Sequence, residues 1–148
     1  LYALDPATGT PVWTRALIPA PEFAGFGLFN GALGFQDHRL FAALYQVVTP
    51  NSWPAGNDHL FAFNDLDGST AWSAQIGASW GSIGVANGVV FAGTQASVNL
   101  HVHDATTGAA ILATPMPANV AGGAAVVDGV VYVPYWGAAA GITAFDLP

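Results

Sequence analysis

Cysteine is absent from the 148 residues, and lysine and arginine together occur only twice. Without cysteine the chain has no disulfide framework, no thiolate zinc site and no thiol nucleophile. Charged residues make up 7% of the sequence and the net charge is −7, with Arg15 and Arg39 as the strong cations. Binding to nucleic acid or to an anionic membrane needs clustered cations, so we expect neither partner.

Long apolar runs are also missing, although 53% of the residues are hydrophobic. Glycine, proline or asparagine interrupts them, and no stretch reaches the roughly 18 residues of a membrane-spanning helix. We therefore expect no membrane span. High hydrophobicity with low charge also excludes a disordered chain. The sequence begins at Leu1 without an initiator methionine or a signal-peptide pattern, which predicts a processed protein or a fragment.

The sequence does contain an internal repeat. Three segments align without gaps, LYALDPATGTPVWTRAL, LFAFNDLDGSTAWSAQI and LHVHDATTGAAILATPM, which begin at Leu1, Leu60 and Leu100. A fourth copy begins at Ile142, so the offsets are 59, 40 and 42 residues. In each copy an aspartate or asparagine can accept backbone hydrogen bonds, and in the three longer copies a glycine suited to positive φ follows. Each copy therefore predicts a strand, a turn and the start of another strand.

A second motif lies between these copies. Residues 84–91 (GVANGVVF) align with residues 125–132 (AVVDGVVY) and with residues 34–41 (GFQDHRLF). Asn-Gly and Asp-Gly pairs between β-branched residues are strong signals for a two-residue hairpin, and Asp37-His38-Arg39 supplies the turn of the third version. One period is thus four short antiparallel strands in about 40 residues, the size of a propeller blade.

The predicted fold is all-β, a β-propeller segment of four-stranded antiparallel blades with two full blades and two partial ones. The strands of a blade are labelled A to D from the propeller axis outwards. Residues 1–17 supply strands C and D of one blade, residues 18–78 and 79–117 form a blade each, and residues 118–148 supply strands A to C of the last. We expect these parts to form a single partial propeller domain, with extra residues around 23–29 and 48–58 in loops.

The repeat resembles that of the pyrroloquinoline-quinone (PQQ) dehydrogenase-like propellers, whose pattern is A-x-D-x-x-T-G-x-x-x-W. The first copy fits it at every fixed position: Ala3, Asp5, Thr8, Gly9 and Trp13. The second copy has Asn64 for the aspartate and Asp67 for the threonine, while the third has Val102 for the alanine and Leu112 for the tryptophan. The resemblance covers nearly the whole chain.

This resemblance implies two alternative functions. The leading interpretation is a quinoprotein dehydrogenase that oxidises an alcohol or a sugar, with PQQ and calcium in the intact protein and no cofactor assigned to this segment. The alternative is a non-catalytic, cofactor-free scaffold, similar to outer-membrane assembly lipoproteins, that binds protein partners. Either implies a periplasmic or secreted protein. The chain would be the C-terminal part of a propeller of about seven or eight blades, whose remaining blades are its partners and would carry the catalytic base and the calcium ligands.

Strand order predicts which face carries a site. Because successive strands alternate in direction, A–B and C–D turns share one face, while B–C and D–A connections share the other. All long connections fall in the second set: residues 18–29, 47–58, 76–79, 95–98, 115–120 and 136–141. Binding sites are usually built on long loops held by a rigid scaffold. We therefore expect the site on this second face, called the long-loop face below.

The five tryptophans divide between the repeat and this face. Trp13 and Trp72 occupy the repeat position, so we expect their rings to lie between blades as a tryptophan docking motif, with a looser contact where Leu112 replaces them. On the long-loop face, Trp80-Gly81 and Trp136-Gly137 are candidates to stack on a flat quinone or a sugar. The alternative is that these rings pack loop against blade, and for Trp53 we favour a loop anchor.

Polar candidates on the long-loop face are few. The residues not used in turns are Asn30, Asn57, Asp58 and Asn119, and Asn30 joins the two Trp-Gly pairs as a candidate cofactor-binding residue. His101 and His103 share one strand face, a spacing that could hold a metal, but structural histidines are favoured and no metal site is assigned. Asp37-His38-Arg39 resembles part of a catalytic triad, and a solvated turn is favoured there.

Overall fold

The computed structural model describes residues 1–15, 26–29, 31–47, 59–95 and 97–146. In these residues the regular structure is entirely β-strand, and no helix among them is long and apolar enough to cross a membrane. The strands are β1 (Tyr2–Leu4), β2 (Pro11–Thr14), β3 (Phe26–Phe29), β4 (Gly34–Gln36), β5 (Arg39–Val47), β6 (His59–Asn64), β7 (Thr70–Gln75), β8 (Gly84–Ala86), β9 (Val89–Gly93), β10 (Asn99–Asp104), β11 (Ala110–Pro115), β12 (Ala125–Val127), β13 (Val130–Tyr135) and β14 (Gly141–Asp146).

These strands form four antiparallel sheets, numbered here as blades in chain order. Blade 1 contains β1 and β2, and blade 2 contains β3 to β7. Blade 3 has the order β8-β9-β10-β11, and blade 4 has the order β12-β13-β14. The predicted all-β arrangement of two full and two partial blades is confirmed.

At the inner side of blade 2, Phe26–Phe29 form strand β3, whereas a loop was expected over residues 18–29. β3 pairs with the end of β5, from Leu44 to Val47, while β4 pairs with its start, from Arg39 to Phe41. β5 is nine residues long, so β4 alone leaves backbone donors and acceptors unpaired at its far end. β3 satisfies those groups, as a buried ladder requires.

The turn that opens with the repeat aspartate explains the motif Asp-x-x-Thr-Gly. In blade 3, the Asp104 carboxylate accepts hydrogen bonds from the backbone N–H of Thr106 (3.0 Å) and of Thr107 (2.7 Å). The Thr107 hydroxyl donates to the same oxygen at 2.8 Å. Gly108 closes the turn with a φ of 75° and donates its N–H to the Asp104 carbonyl. Because these bonds favour the charged carboxylate, Thr107 first among them, they lower the pKa of Asp104.

The predicted A–B hairpins are present in blades 2, 3 and 4. Their central pairs have positive φ at both residues, as a type I′ turn requires: Asp37-His38, Asn87-Gly88 and Asp128-Gly129. In blade 3 the Gly88 carbonyl of this hairpin accepts a hydrogen bond from Ala105 in the C–D turn, at 2.8 Å. The two kinds of short turn therefore meet on one face.

The repeat tryptophans each contact the C–D turn of the following blade. Trp13 in blade 1 donates its Nε1–H to the Asp65 carbonyl of blade 2 at 2.7 Å. Trp72 in blade 2 donates in the same way to the Ala105 carbonyl of blade 3 at 3.0 Å. The turn glycine lies against the ring in both cases, since a Cβ at Gly68 or Gly108 would come within 2.6 Å of the indole.

The inner strands of blades 2 and 3 approach closely enough to require glycine. A Cβ added at Gly31 would fall on the Gly81 carbonyl oxygen and within 2.7 Å of the Ser82 nitrogen. Ile83 donates its backbone N–H to the Ala32 carbonyl at 3.1 Å across the same boundary. The absence of a side chain at Gly31 thus lets two backbones meet directly.

In the described part of the chain, two apolar clusters lie between blades. The first joins blades 2 and 3 through buried side chains that include Phe41, Leu60 and Val90. The second joins blades 3 and 4 through side chains that include Phe91 and Val133. The core therefore lies between successive sheets, as in face-to-face sheet packing.

Candidate functional site

Among the described residues, the connections of blades 3 and 4 that strand order assigns to the long-loop face are joined by backbone hydrogen bonds. In blade 3 the D–A and B–C connections are joined by a hydrogen bond from the Gln95 N–H to the Ala78 carbonyl, at 2.9 Å. In blade 4 the Trp136 N–H donates to the Asn119 carbonyl at 2.9 Å. These bonds hold both connections of each blade together at the surface.

Trp80 stands at the entrance to the inner strand of blade 3. Its side chain is 39% exposed, whereas the preceding residue, Ser79, is buried and donates its hydroxyl to the Gly93 carbonyl at 2.7 Å. The following residue, Gly81, lies beside the backbone of blade 4, and a Cβ there would be 3.4 Å from the Ala121 carbonyl carbon. The indole is therefore presented by a segment that is fixed on both sides.

Trp136 leaves the second strand of blade 4 and is 53% exposed. Gly137 follows it with a φ of 141°, a conformation that side-chain-bearing residues rarely adopt. This glycine turns the chain sharply after the bond between Trp136 and Asn119. The second indole is thus also presented by a constrained backbone.

Alignment of the blades shows that these two indoles are not repeat features. The position of Trp80 holds Asn30 in blade 2 and Ala121 in blade 4, and the position of Trp136 holds Tyr45 in blade 2 and Gln95 in blade 3. Trp13 and Trp72, in contrast, recur at one position and contact the next blade. The common architecture of the blades therefore does not require a tryptophan at either position, and this signal was already present in the sequence.

The other residues predicted for this face divide between described and undescribed parts of the chain. Asn30, Trp53, Asn57 and Asp58 lie outside the described residues. Asn119 is described, and its carbonyl is bonded to Trp136. Calcium takes six to eight oxygen ligands, and among the described residues no three His, Asp or Glu side chains lie close enough to hold a metal. The described part of this face therefore contains no such cluster of ionisable ligands.

The two histidines of β10 face blade 2 instead of the long-loop face. Their rings are 6.4 Å apart, and His103 also stacks on Trp72 at 6.5 Å. His103 is buried and donates its Nδ1–H to the Gly108 carbonyl at 3.0 Å. The Nε2 atom of His101 is buried without a hydrogen-bond partner. Burial, and then the charge of His103, lower the pKa of His101 below its ordinary value of 6.5.

We expect His101 to make the stability of the protein depend on pH. Because the pKa of His101 is lower in the folded state, the unfolded state binds more protons as the pH falls below about 6.5. The free energy of unfolding should therefore be highest above that pH and decrease below it, by a small amount because His101 is only half buried. Urea unfolding of the full-length protein between pH 7.5 and 5 measures this decrease.

The matched variant is His101→Gln, which should flatten this part of the pH profile. Asp5, Asp67 and Asp104 also have lowered pKa values, but their ordinary value is about 3.8. Their titration therefore does not change the stability between pH 7.5 and 5. If the free energy of unfolding of His101→Gln decreases with pH as steeply as that of the unmodified protein, His101 is not the group responsible.

Asp37-His38-Arg39 is a turn and the start of β5. His38 is 83% exposed and pairs through Nδ1 with the Asp65 carboxylate at 3.0 Å, and Arg39 donates to the Asn64 side chain at 2.9 Å. These partners belong to the C–D turn of the same blade. The three residues therefore connect two short turns.

Comparisons with known proteins bear on the fold and on the family. None of the curated proteins compared with the chain matches it significantly in sequence. Among solved structures, BamB from Moraxella catarrhalis superposes with a TM-score of 0.65 at 18% identity, over 99% of this chain and 43% of BamB. A europium-containing methanol dehydrogenase superposes with a TM-score of 0.56 at 18% identity, over 82% of this chain and 24% of the enzyme.

These structural matches show the same propeller fold, and the chain spans less than half the length of either protein. The computationally designed protein Ika4 is also similar, with a TM-score of 0.50 at 10% identity over 82% of this chain and 92% of Ika4. A protein-family model described as outer membrane protein assembly factor BamB matches residues 56–147, which is more than half of the sequence. The chain therefore belongs to this BamB-like family of PQQ-like β-propellers.

Proposed function

We propose that this chain is part of a β-propeller scaffold whose long-loop face binds a protein partner. The observation that carries the proposal is the pair of exposed indoles, Trp80 and Trp136, presented on one face by neighbouring blades. Tryptophan is among the residues most enriched in the energetically dominant centres of protein interfaces, because it buries a large ring and keeps one hydrogen-bond donor. Two such rings on a fixed backbone suit binding with little ordering cost.

The family supports this proposal over the alternative. Its model is described as that of an assembly factor, and the BamB structure superposes on nearly the whole chain. An assembly factor acts by contacting other proteins. On the same grounds we propose a periplasmic or secreted location for the intact protein, which subcellular fractionation would check.

The second candidate is a quinoprotein dehydrogenase that oxidises an alcohol or a sugar. The observation that favours it is that a solvent-facing indole can stack on a planar quinone, and the methanol dehydrogenase shares the fold. The described residues do not supply its metal ligands, so the PQQ, the calcium ligands and the catalytic base would have to belong to other parts of the intact protein.

We expect a photo-crosslinking amino acid at Trp136 of the full-length protein to yield a discrete protein adduct in cells. The same group at Leu66, which is 81% exposed in a short turn on the opposite face, is the control and should yield none. Once the adduct identifies the partner, Trp80→Ala with Trp136→Ala should weaken its binding by at least tenfold, since a central interface tryptophan is worth about 2 kcal/mol or more.

Trp136→Ala alone, at a side chain that is 53% exposed, should weaken binding and leave the melting temperature nearly unchanged. Equal adducts at positions 136 and 66 would overturn the proposal. Quenching of Trp80 and Trp136 fluorescence by added PQQ, without any adduct, would favour the dehydrogenase.

A further inference from the structure

A cavity of about 320 Å³ lies between blades 3 and 4. Blade 3 lines it with Phe91, Val102 and Leu112, and blade 4 lines it with Val131 and Phe145. Its walls are almost entirely apolar, and residues of the Trp80–Trp136 face do not line it. It is therefore separate from the site proposed above.

The repeat explains why the described residues leave this space open. At the preceding interface, the Trp72 indole packs against Phe41 at 5.8 Å and His103 at 6.5 Å, and its edge lies on Gly108. The repeat places Leu112 where blade 2 has Trp72, Phe91 where it has Phe41, and Phe145 where blade 3 has His103.

Leu112 is too short to reproduce the contact of Trp72. Its side chain is 50% exposed, whereas the Trp72 side chain is half-buried. The cavity occupies the place that an indole fills one interface earlier.

We propose that this cavity binds a planar aromatic molecule of about indole size that carries no negative charge. The cavity is partly open to solvent, since the lining side chains of Ile111 and Leu112 are exposed. Apolar cavities accept an aromatic guest of matching shape, and the volume is at the lower end of small-molecule sites. Among the described residues that line it, Asp146 is the ionisable one, and its side chain is exposed. This carboxylate and the net charge of −7 disfavour an anion.

The test compares indole with indole-3-acetate, which has the same ring and a carboxylate, on the full-length protein. Indole should raise the melting temperature in a concentration-dependent way, as any ligand of the folded state does. Indole-3-acetate should bind at least tenfold more weakly by calorimetry. Asp146→Asn should reduce that difference and leave indole binding unchanged.

Leu112→Trp supplies the ring covalently and should raise the melting temperature while abolishing the shift caused by indole. Leu66→Trp, on an exposed turn, is the matched control and should keep the shift. Absence of any shift in the unmodified protein overturns the proposal, because another part of the chain then fills the space. A shift that persists in Leu112→Trp, or that indole-3-acetate causes equally in the unmodified protein, also overturns it.

Discussion

Replacing Trp72 with alanine should lower the free energy of unfolding of the full-length protein by roughly 3 kcal/mol, in the lower part of the 3–5 kcal/mol range for a large core aromatic. The lower part applies because the ring is half buried. The change removes the packing against Phe41 and the hydrogen bond to the Ala105 carbonyl of the next blade. It leaves that carbonyl without its donor and opens a gap beside Gly108.

Trp136→Ala is the matched control for this experiment, since it makes the same substitution at a side chain that is 53% exposed. It should cost less than about 0.5 kcal/mol, as surface changes usually do. Trp72→Phe should fall between the two, because it retains much of the packing and loses the donor. Denaturant unfolding measures all three, and equal losses for Trp72→Ala and Trp136→Ala would contradict the assignment of Trp72 to the joint between blades.

Gly31→Ala should also destabilise the protein strongly, by roughly 1–3 kcal/mol or more. The added Cβ would fall on the Gly81 carbonyl oxygen, a backbone atom that cannot rotate away. The inner strands of blades 2 and 3 would have to separate, which would strain the 3.1 Å bond between Ile83 and Ala32. Thermal unfolding of the variant measures the loss.

The control is Gly81→Ala, because Gly81 occupies the same repeat position one blade later. A Cβ there first meets an atom at 3.4 Å, an ordinary van der Waals contact. We expect a change within about 0.5 kcal/mol. If Gly31→Ala unfolds at the same temperature as Gly81→Ala, the inner strands of blades 2 and 3 lie too far apart at Gly31 for the added Cβ to clash.

Local chemistry explains which parts of the fold could be predicted from the sequence. The turns at Asp104 and at Asn87-Gly88 follow from hydrogen bonding and positive φ within a few residues, and both are present as expected. Strand β3 was missed because its partner, the end of β5, lies some 20 residues away along the chain. No local sequence pattern indicates a pairing over that distance.

The candidate site could be predicted only in part. Strand order was sufficient to place Trp80 and Trp136 on the long-loop face, since direction alternates regardless of side chains. How exposed each indole is depends on the neighbouring loops, which sequence spacing does not give. At Leu112 the sequence predicts only a looser contact than at Trp72. That Val131 and Phe145 line a cavity beside it depends on how two sheets pack, which the sequence pattern does not give.

The hydrogen bonds of Trp13 and Trp72 run in one direction, each from a blade to the turn of its successor. In a stack where each unit contacts only its neighbours, such links set how far a local opening spreads. Blades 1 to 3 are joined by two of them, so we expect the opening of one of these blades to disturb the next. Leu112 has no side-chain donor, so this link is missing at its position and the apolar cluster that includes Phe91 and Val133 joins blades 3 and 4. We therefore expect a local opening to pass less readily across this boundary than across the one between blades 2 and 3, which has both a cluster and a tryptophan link.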